Sequence, residues 1–153
     1  MAEILFYHLE RRPLEDVLPA LLEKCLERGW RCAVQCGSPE RRDALDTHLW
    51  TYNEASFLPH GTDAQPLPER QPILVTLSGD NPNGASVRFL VDGQRLDDAA
   101  PYLRVVHLFD GRDDEQVARA RETWRETKAG AAAAGHELTY WQQDENGRWV
   151  RKA

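Results

Sequence analysis

The side chains that could support metal or acid–base chemistry are few and scattered. The histidines are His8, His48, His60, His107 and His136, and no two of them stand in His-x-x-His or His-Glu-x-x-His spacing. The sequence therefore offers no local metal site. His8 and His107 fall within strand-like runs, where a hydrogen-bonded core histidine is the expectation. The cysteines Cys25, Cys32 and Cys36 include no Cys-x-x-Cys pair. Cys32 and Cys36 share a strand face with Val34 and are expected to be buried free thiols, as suits a reducing cytosol. The acidic pairs Asp97-Asp98 and Asp113-Asp114 fall at a turn and a helix start, where solvated caps explain them better than paired general acids. No Gly-x-Ser-x-Gly elbow is present. The loop after the first strand, Leu9-Glu10-Arg11-Arg12-Pro13, has no glycine, so it is neither a dinucleotide fingerprint nor a phosphate cradle. The expectation is a chain without catalytic residues, metal or cofactor.

Two segments carry chemistry of another kind, that of binding. The first is Leu49-Trp50-Thr51-Tyr52-Asn53-Glu54-Ala55-Ser56-Phe57-Leu58-Pro59-His60. Large aromatics gather where a helix runs out into a loop. Exposed, they would form an apolar patch of the kind that meets a protein partner. Folded back, Trp50 and Phe57 would be core residues. The second is a long helical stretch in which Val117, Arg121, Trp124, Arg125 and Lys128 fall at i, i+4, i+7, i+8 and i+11. An apolar pair is thus set among three cations on one face. Such a face suits an acidic peptide that ends in an apolar residue and a carboxylate. The alternative is an ordinary amphipathic helix, with Trp124 in the core and Glu122 and Glu126 set against neighbouring arginines.

The elements that must position these residues read as α/β. Residues 4–9 form a nearly continuous apolar run, as in strands buried on both faces of a parallel sheet. Leu14, Val17, Leu18, Leu21, Leu22, Cys25 and Leu26 then repeat at helical spacing, ending at Gly29. Residues 31–36 read as a second strand and 39–49 as a second helix, with Ser38 as N-cap and Pro39 in the first turn. Residues 51–71 read mostly as loop, 72–77 as a strand, 87–91 as a weaker strand and 103–109 as a clear one. A long helix follows, with Asp113 and Gln116 in capping-box spacing, and ends at Gly135. The C-terminus reads as a hairpin around Asn146-Gly147, the pair favoured in type I′ turns.

The predicted fold is therefore three-layer α/β: a mostly parallel twisted sheet with helices on both faces, Rossmann-like without a nucleotide site, and one domain over residues 1–153. Formal net charge is −6, which argues against general binding of nucleic acid. The N-terminus does not read as a signal peptide, and no apolar stretch approaches the roughly 18 residues that span a bilayer. A cytoplasmic protein without a membrane partner is expected.

Taken together, these segments resemble the chi subunit of bacterial DNA polymerase III holoenzyme. The likeness rests on the Phe6-Tyr7 strand, Leu49-Trp50 followed by Ser56-Phe57-Leu58-Pro59-His60, and Ile73-Leu74-Val75-Thr76-Leu77. It extends to Arg121-x-x-Trp124-Arg125-x-x-Lys128 and to Gly135-His136-Glu137-Leu138-Thr139-Tyr140-Trp141-Gln142-Gln143. The resemblance implies a non-catalytic replisome subunit that needs no cofactor and meets DNA only indirectly. It implies attachment to the clamp loader through the psi subunit, or to a repair helicase on the same surface, by Trp50, Phe57, Leu58 and Pro59. It also implies capture of the acidic, phenylalanine-ended tail of single-stranded DNA-binding protein (SSB) by Val117, Arg121, Trp124, Arg125 and Lys128. An unrelated small α/β enzyme is the alternative. One departure from the family pattern stands out: Ala129-Gly130-Ala131-Ala132-Ala133-Ala134 inserts about one helical turn before the glycine.

Overall fold

The computed structural model describes residues 2–52 and 58–153. Strand β1 (Glu3–Leu9) leads to helix α1 (Leu14–Glu27), β2 (Cys32–Gln35) and α2 (Pro39–Thr51). A short β3 (Gly61–Thr62) precedes β4 (Ile73–Thr76), β5 (Val87–Leu90) and β6 (Arg104–Asp110). Helix α3 (Asp114–Ala134) is followed by β7 (Glu137–Gln143) and β8 (Trp149–Arg151). The strands form one eight-stranded sheet in the order β3-β4-β2-β5-β6-β1-β7-β8. Every pairing is parallel except β7 with β8. The expected mostly parallel sheet with helices on both faces is what forms.

Alternation along β1 divides the core, because successive strand side chains point to opposite faces. Leu5 and Leu9 join Val17, Leu18, Leu22, Leu45 and Leu49 of α1 and α2, while Ile4 and Phe6 meet Ala120, Val117 and Trp124 of α3. Cys25, Cys32 and Cys36 are free and buried, as expected. All three lie with Val34 in the core on the α1 and α2 side. Burial pushes the Cys36 thiol up to about 12.

Two details depart from the sequence reading. Residues 87–90, read as the weaker strand, lie between β2 and β6 in the interior of the sheet. The charge that weakened the pattern, Arg88, is fully buried and hydrogen-bonded throughout. At the C-terminal hairpin, Gly147 has φ 77° but Asn146 is not at positive φ, so the turn is not type I′. Gly147 N–H donates to the Asp144 carbonyl at 3.0 Å, and the Asp144 carboxylate accepts from Asn146 N–H and Arg148 N–H at 2.8 and 2.9 Å. Asp144 thus draws the turn into a tight form that needs only one left-handed residue.

The inserted alanines extend α3 rather than bulging from it. Gly135 takes the left-handed C-cap at φ 76°, and His136 N–H closes on the Ala131 carbonyl at 2.9 Å. At the other end Asp113 accepts from Glu115 N–H and Gln116 N–H. The Gln116 side chain reaches past the cap to accept Asp110 N–H at 3.0 Å, so the box is closed one loop earlier than the spacing predicts.

Candidate protein-interaction faces

Parallel α/β sheets place nucleotides at the C-terminal ends of their strands, beside a helix N-terminus. A cavity of about 410 Å³ occurs at that place, lined by Leu9, Glu15, Arg41, Asp92 and Asp110 among others. Its single cation is committed: Arg41 Nε lies 3.0 Å from Asp92, and its guanidinium 3.8 Å from Glu15. The backbone amides of the β1–α1 loop are committed too. Glu10, Arg11 and Arg12 N–H all donate to the Gln143 side-chain oxygen, at 3.0, 3.0 and 3.3 Å. A glutamine from β7 thus occupies the concavity in which a phosphate would sit, and acids line the space in front of it. Gln143→Ala leaves three amides without that acceptor and loosens the loop from β7, with the Gln142–Glu10 bond remaining. Each unsatisfied buried amide costs about 1–3 kcal/mol, and water reaches part of this loop, so about 2–3 kcal/mol of stability is expected to be lost in total. Denaturant melting checks it.

The histidines hold structural posts. His60 is buried, with Nδ1 2.6 Å from the Leu58 carbonyl and Nε2 3.1 Å from Asp46, tying the segment after α2 back onto that helix. His8 Nδ1 lies 2.7 Å from the Tyr140 hydroxyl. His107 departs from the expectation, since among the described residues its imidazole makes no hydrogen bond. Its ring stacks on Phe6 instead, at 4.2 Å and 11°. Burial lowers its pKa to about 4, which keeps it neutral near pH 7. Among the described residues no group of three or more His, Cys, Asp or Glu side chains is placed to hold a metal ion. Among the described residues no helix is long and apolar enough to cross a membrane.

The aromatic segment after α2 divides. Trp50 is 51% exposed and rests its ring 4.5 Å from that of His60, whereas Leu49 beside it is buried in the core. Phe57, like Ser56, lies outside the described residues. Leu58 is only 2% exposed and packs in the core with α1 and α2. Its side chain serves folding and does not belong to an exposed face, a correction to its expected role. Pro59 is half-buried. The motif spacing could not separate these fates, since an irregular segment has no period that marks its inner side.

Helix α3 brings Val117, Arg121, Trp124, Arg125 and Lys128 onto one side, within about 100° of its circumference at 3.6 residues per turn. Arg121, Arg125 and Lys128 are exposed, while Val117 and Trp124 are half-buried against the sheet. The Trp124 ring stands edge-on to Phe6 at 5.3 Å and to Tyr140 at 5.5 Å. Neither sequence alternative describes it fully: one side of the indole is core and the other remains at the surface. Two acids of the helix, Glu122 and Glu126, turn to Arg95 instead of to these cations. Glu126 pairs with Arg95 at 2.8 Å and Glu122 with the same guanidinium at 3.9 Å. Among the described residues Arg121, Arg125 and Lys128 have no ion pair. Arg95 was not picked out from sequence. It lies in a loop, with no periodicity to reveal that it would draw the helix acids to the opposite flank.

That flank borders a cavity of about 400 Å³, with Ile4, Val105 and His107 inside and Gly130, Ala131 and Ala134 in its wall. The inserted turn therefore lengthens the side of α3 that faces Arg95.

These features describe a doubly wound α/β protein whose phosphate position is filled by its own glutamine and whose free cations stand on an open helix face. The sequence profile of the family described as DNA polymerase III chi subunit, HolC, matches residues 1–139, and the chain belongs to that family, an accessory subunit of the replicase. A curated relative, named probable DNA polymerase III subunit chi, from Rickettsia prowazekii (strain Madrid E), is 31% identical over 91 residues. The match covers 60% of this chain and 55% of the relative, so the chain spans about half the length of the curated relative it matches.

Proposed function

We propose that this chain is a non-catalytic adaptor that joins the clamp loader, through the psi subunit, to SSB by holding the acidic SSB tail. The observation that carries this reading is the cation set on α3. Arg121, Arg125 and Lys128 flank a half-exposed tryptophan, and Glu122 and Glu126 of their own helix are drawn off by Arg95. An acidic peptide supplies the missing counter-charges, its terminal carboxylate matches an arginine fork, and its apolar end fits against Trp124 and Val117. The filled phosphate position supports an adaptor over a nucleotide-using enzyme. Titration of the protein with a synthetic acidic peptide ending in phenylalanine, against the same peptide carrying a C-terminal amide, tests the tail site. Equal binding of the two would remove the terminal carboxylate from the reading.

The psi contact is proposed at Trp50, with Pro59 beside it and Phe57 completing the patch by family resemblance. A repair helicase is the second occupant for that surface. Trp50→Ala is expected to weaken binding to psi by about 2 kcal/mol or more, as for an interface aromatic. It is expected to cost folding much less than the roughly 3–5 kcal/mol of a core tryptophan, because half of the side chain already faces solvent. Melting of the variant alone, set beside its titration with psi, separates the two. A large drop in melting temperature with binding unchanged would place Trp50 in the core.

A further inference from the structure

Behind the cation face of α3 lies a buried histidine with an unusual set of neighbours. His8 is 9% exposed. Its Nδ1 is 2.7 Å from the Tyr140 hydroxyl, and among the described residues its Nε2 has no close hydrogen-bond partner, with the Glu10 carboxylate 3.4 Å away and the Gly111 backbone beside it. The Nε2 edge is closed in by Gly111, where a Cβ would collide with the imidazole and with the Leu9 carbonyl. Only the Nδ1 edge is turned toward Tyr140. The Tyr140 ring is in turn edge-on to Trp124, and the Arg121 charge acts on both Tyr140 and His8. The hydroxyl of Tyr140 thus joins the buried imidazole to the peptide-binding face.

We propose that the Tyr140 hydroxyl is a further carboxylate-binding group of the Arg121–Trp124 face. His8 is the positioning residue that decides, by the direction of their shared hydrogen bond, whether that hydroxyl can donate outward. This rests on the reading of that face as an acidic-peptide site.

The logic follows from donor counting. With the Glu10 carboxylate nearest Nε2, the neutral imidazole carries its proton on Nε2 and accepts the Tyr140 O–H at Nδ1. The hydroxyl hydrogen is then used internally. When His8 takes a proton from solvent, both ring nitrogens become donors. Nδ1–H must now donate to the Tyr140 oxygen, and the O–H is released to donate to a ligand carboxylate.

The groups facing His8 are known from each neighbouring element. Glu10 lies at the end of its own strand and is held by Gln142 Nε2 at 2.6 Å. Asp110 and the Gly111 backbone lie at the end of β6, with the Phe109 ring at 5.0 Å. Arg121 lies on α3, and Tyr140 on β7. Burial lowers the His8 pKa from its ordinary 6.5, Glu10 opposes this, and Arg121 adds to it. At pH 7.5 His8 is neutral and the hydroxyl is withheld. A peptide carboxylate docked beside Tyr140 raises the His8 pKa, so binding takes up a proton. The gain is fully present below the lowered pKa of the free protein and is lost as pH rises through the pKa of the complex.

The test is calorimetric titration with the acidic phenylalanine-ended peptide at pH 5.5 and 7.5, at one ionic strength. Peptide carboxylates stay ionised across that range, their usual pKa being about 4. The wild type is expected to bind more tightly as the pH falls from 7.5 to 5.5, the full gain being on the order of five-fold, the scale of one net hydrogen bond. His8→Gln, which does not titrate, is expected to show no such gain. Tyr140→Phe, which keeps the ring contacts should the histidine variant fold poorly, is expected to lose most of it. Wild-type binding that is lost in Arg121→Ala yet indifferent to pH overturns this inference alone, as does a gain preserved in either variant. No wild-type binding at either pH overturns both this inference and the peptide-site reading.

Discussion

Arg88→Met should unfold this protein more readily than any surface substitution, with a stability loss of about 3–5 kcal/mol, the range for breaking a buried polar network on one side. Arg88 is 0% exposed. Its Nε and Nη2 donate to the Gln35 side-chain oxygen at 3.0 and 2.9 Å, and Nη1 donates to the Asp80 carbonyl at 2.9 Å and the Tyr102 hydroxyl at 3.2 Å. Nη2 also donates to the Ser78 carbonyl. No carboxylate takes part, so the guanidinium is held by neutral acceptors. Two of them are backbone carbonyls from the turn after β4, and a third lies on β2. One side chain therefore ties β5 to β2, to the turn after β4 and to the loop before β6. Methionine fills much of the volume but leaves the buried Gln35 side-chain oxygen without these donors and the two part-buried carbonyls unpaired. Lysine keeps the charge but cannot reproduce the planar fork, and Arg88→Lys should lose nearly as much. For a domain of this size the expected fall in melting temperature is on the order of 10 °C. A fall of only about a degree in either variant would mean that the network contributes nothing.

The second large effect is expected in binding. Arg121→Ala with Arg125→Ala should weaken capture of the acidic tail by about 2–5 kcal/mol. Each charge-assisted contact is worth about 1–3 kcal/mol, and neighbours on one face need not add. Folding should change far less, because both residues are exposed and unpaired among the described residues. The whole chain carries net charge −6, so long-range attraction for an acidic peptide is weak and the pull must come from this local patch. Affinity in the wild type should therefore fall as salt rises, and the double variant should show a flatter salt dependence. Titration at low and moderate salt measures both. Unchanged affinity in the double variant, or wild-type binding indifferent to salt, would place the tail elsewhere.

The α3 face shows how far spacing alone reaches. The i, i+4, i+7, i+8, i+11 pattern placed five residues on one side of a helix, and that side is where they stand, because helical geometry is local. Whether the cations were already neutralised was not legible. The same sequence allowed Glu122 and Glu126 to pair with arginines of their own helix. Arg95, from a loop between β5 and β6, decides otherwise.

What the sequence determined by itself is the set of features governed by near neighbours. These are the alternation and apolar runs of the strands, the period of the helices, the Ser38 and Asp113 caps, the Gly135 stop and the absence of a glycine loop after β1. The family's ordered motifs were legible in the same way. Tertiary structure alone decided what depends on residues far apart in the chain. It set Arg88 in the middle of the sheet, where five neutral contacts from separate segments make its charge tolerable. It brought Gln143 across from β7 to the amides of Glu10, Arg11 and Arg12, and set His8 behind Tyr140. It also sent Leu58 inward while leaving Trp50 half exposed. Each of these is settled by which partner satisfies a polar group, or covers an apolar one, after the strands have found their order. No local spacing encodes that choice.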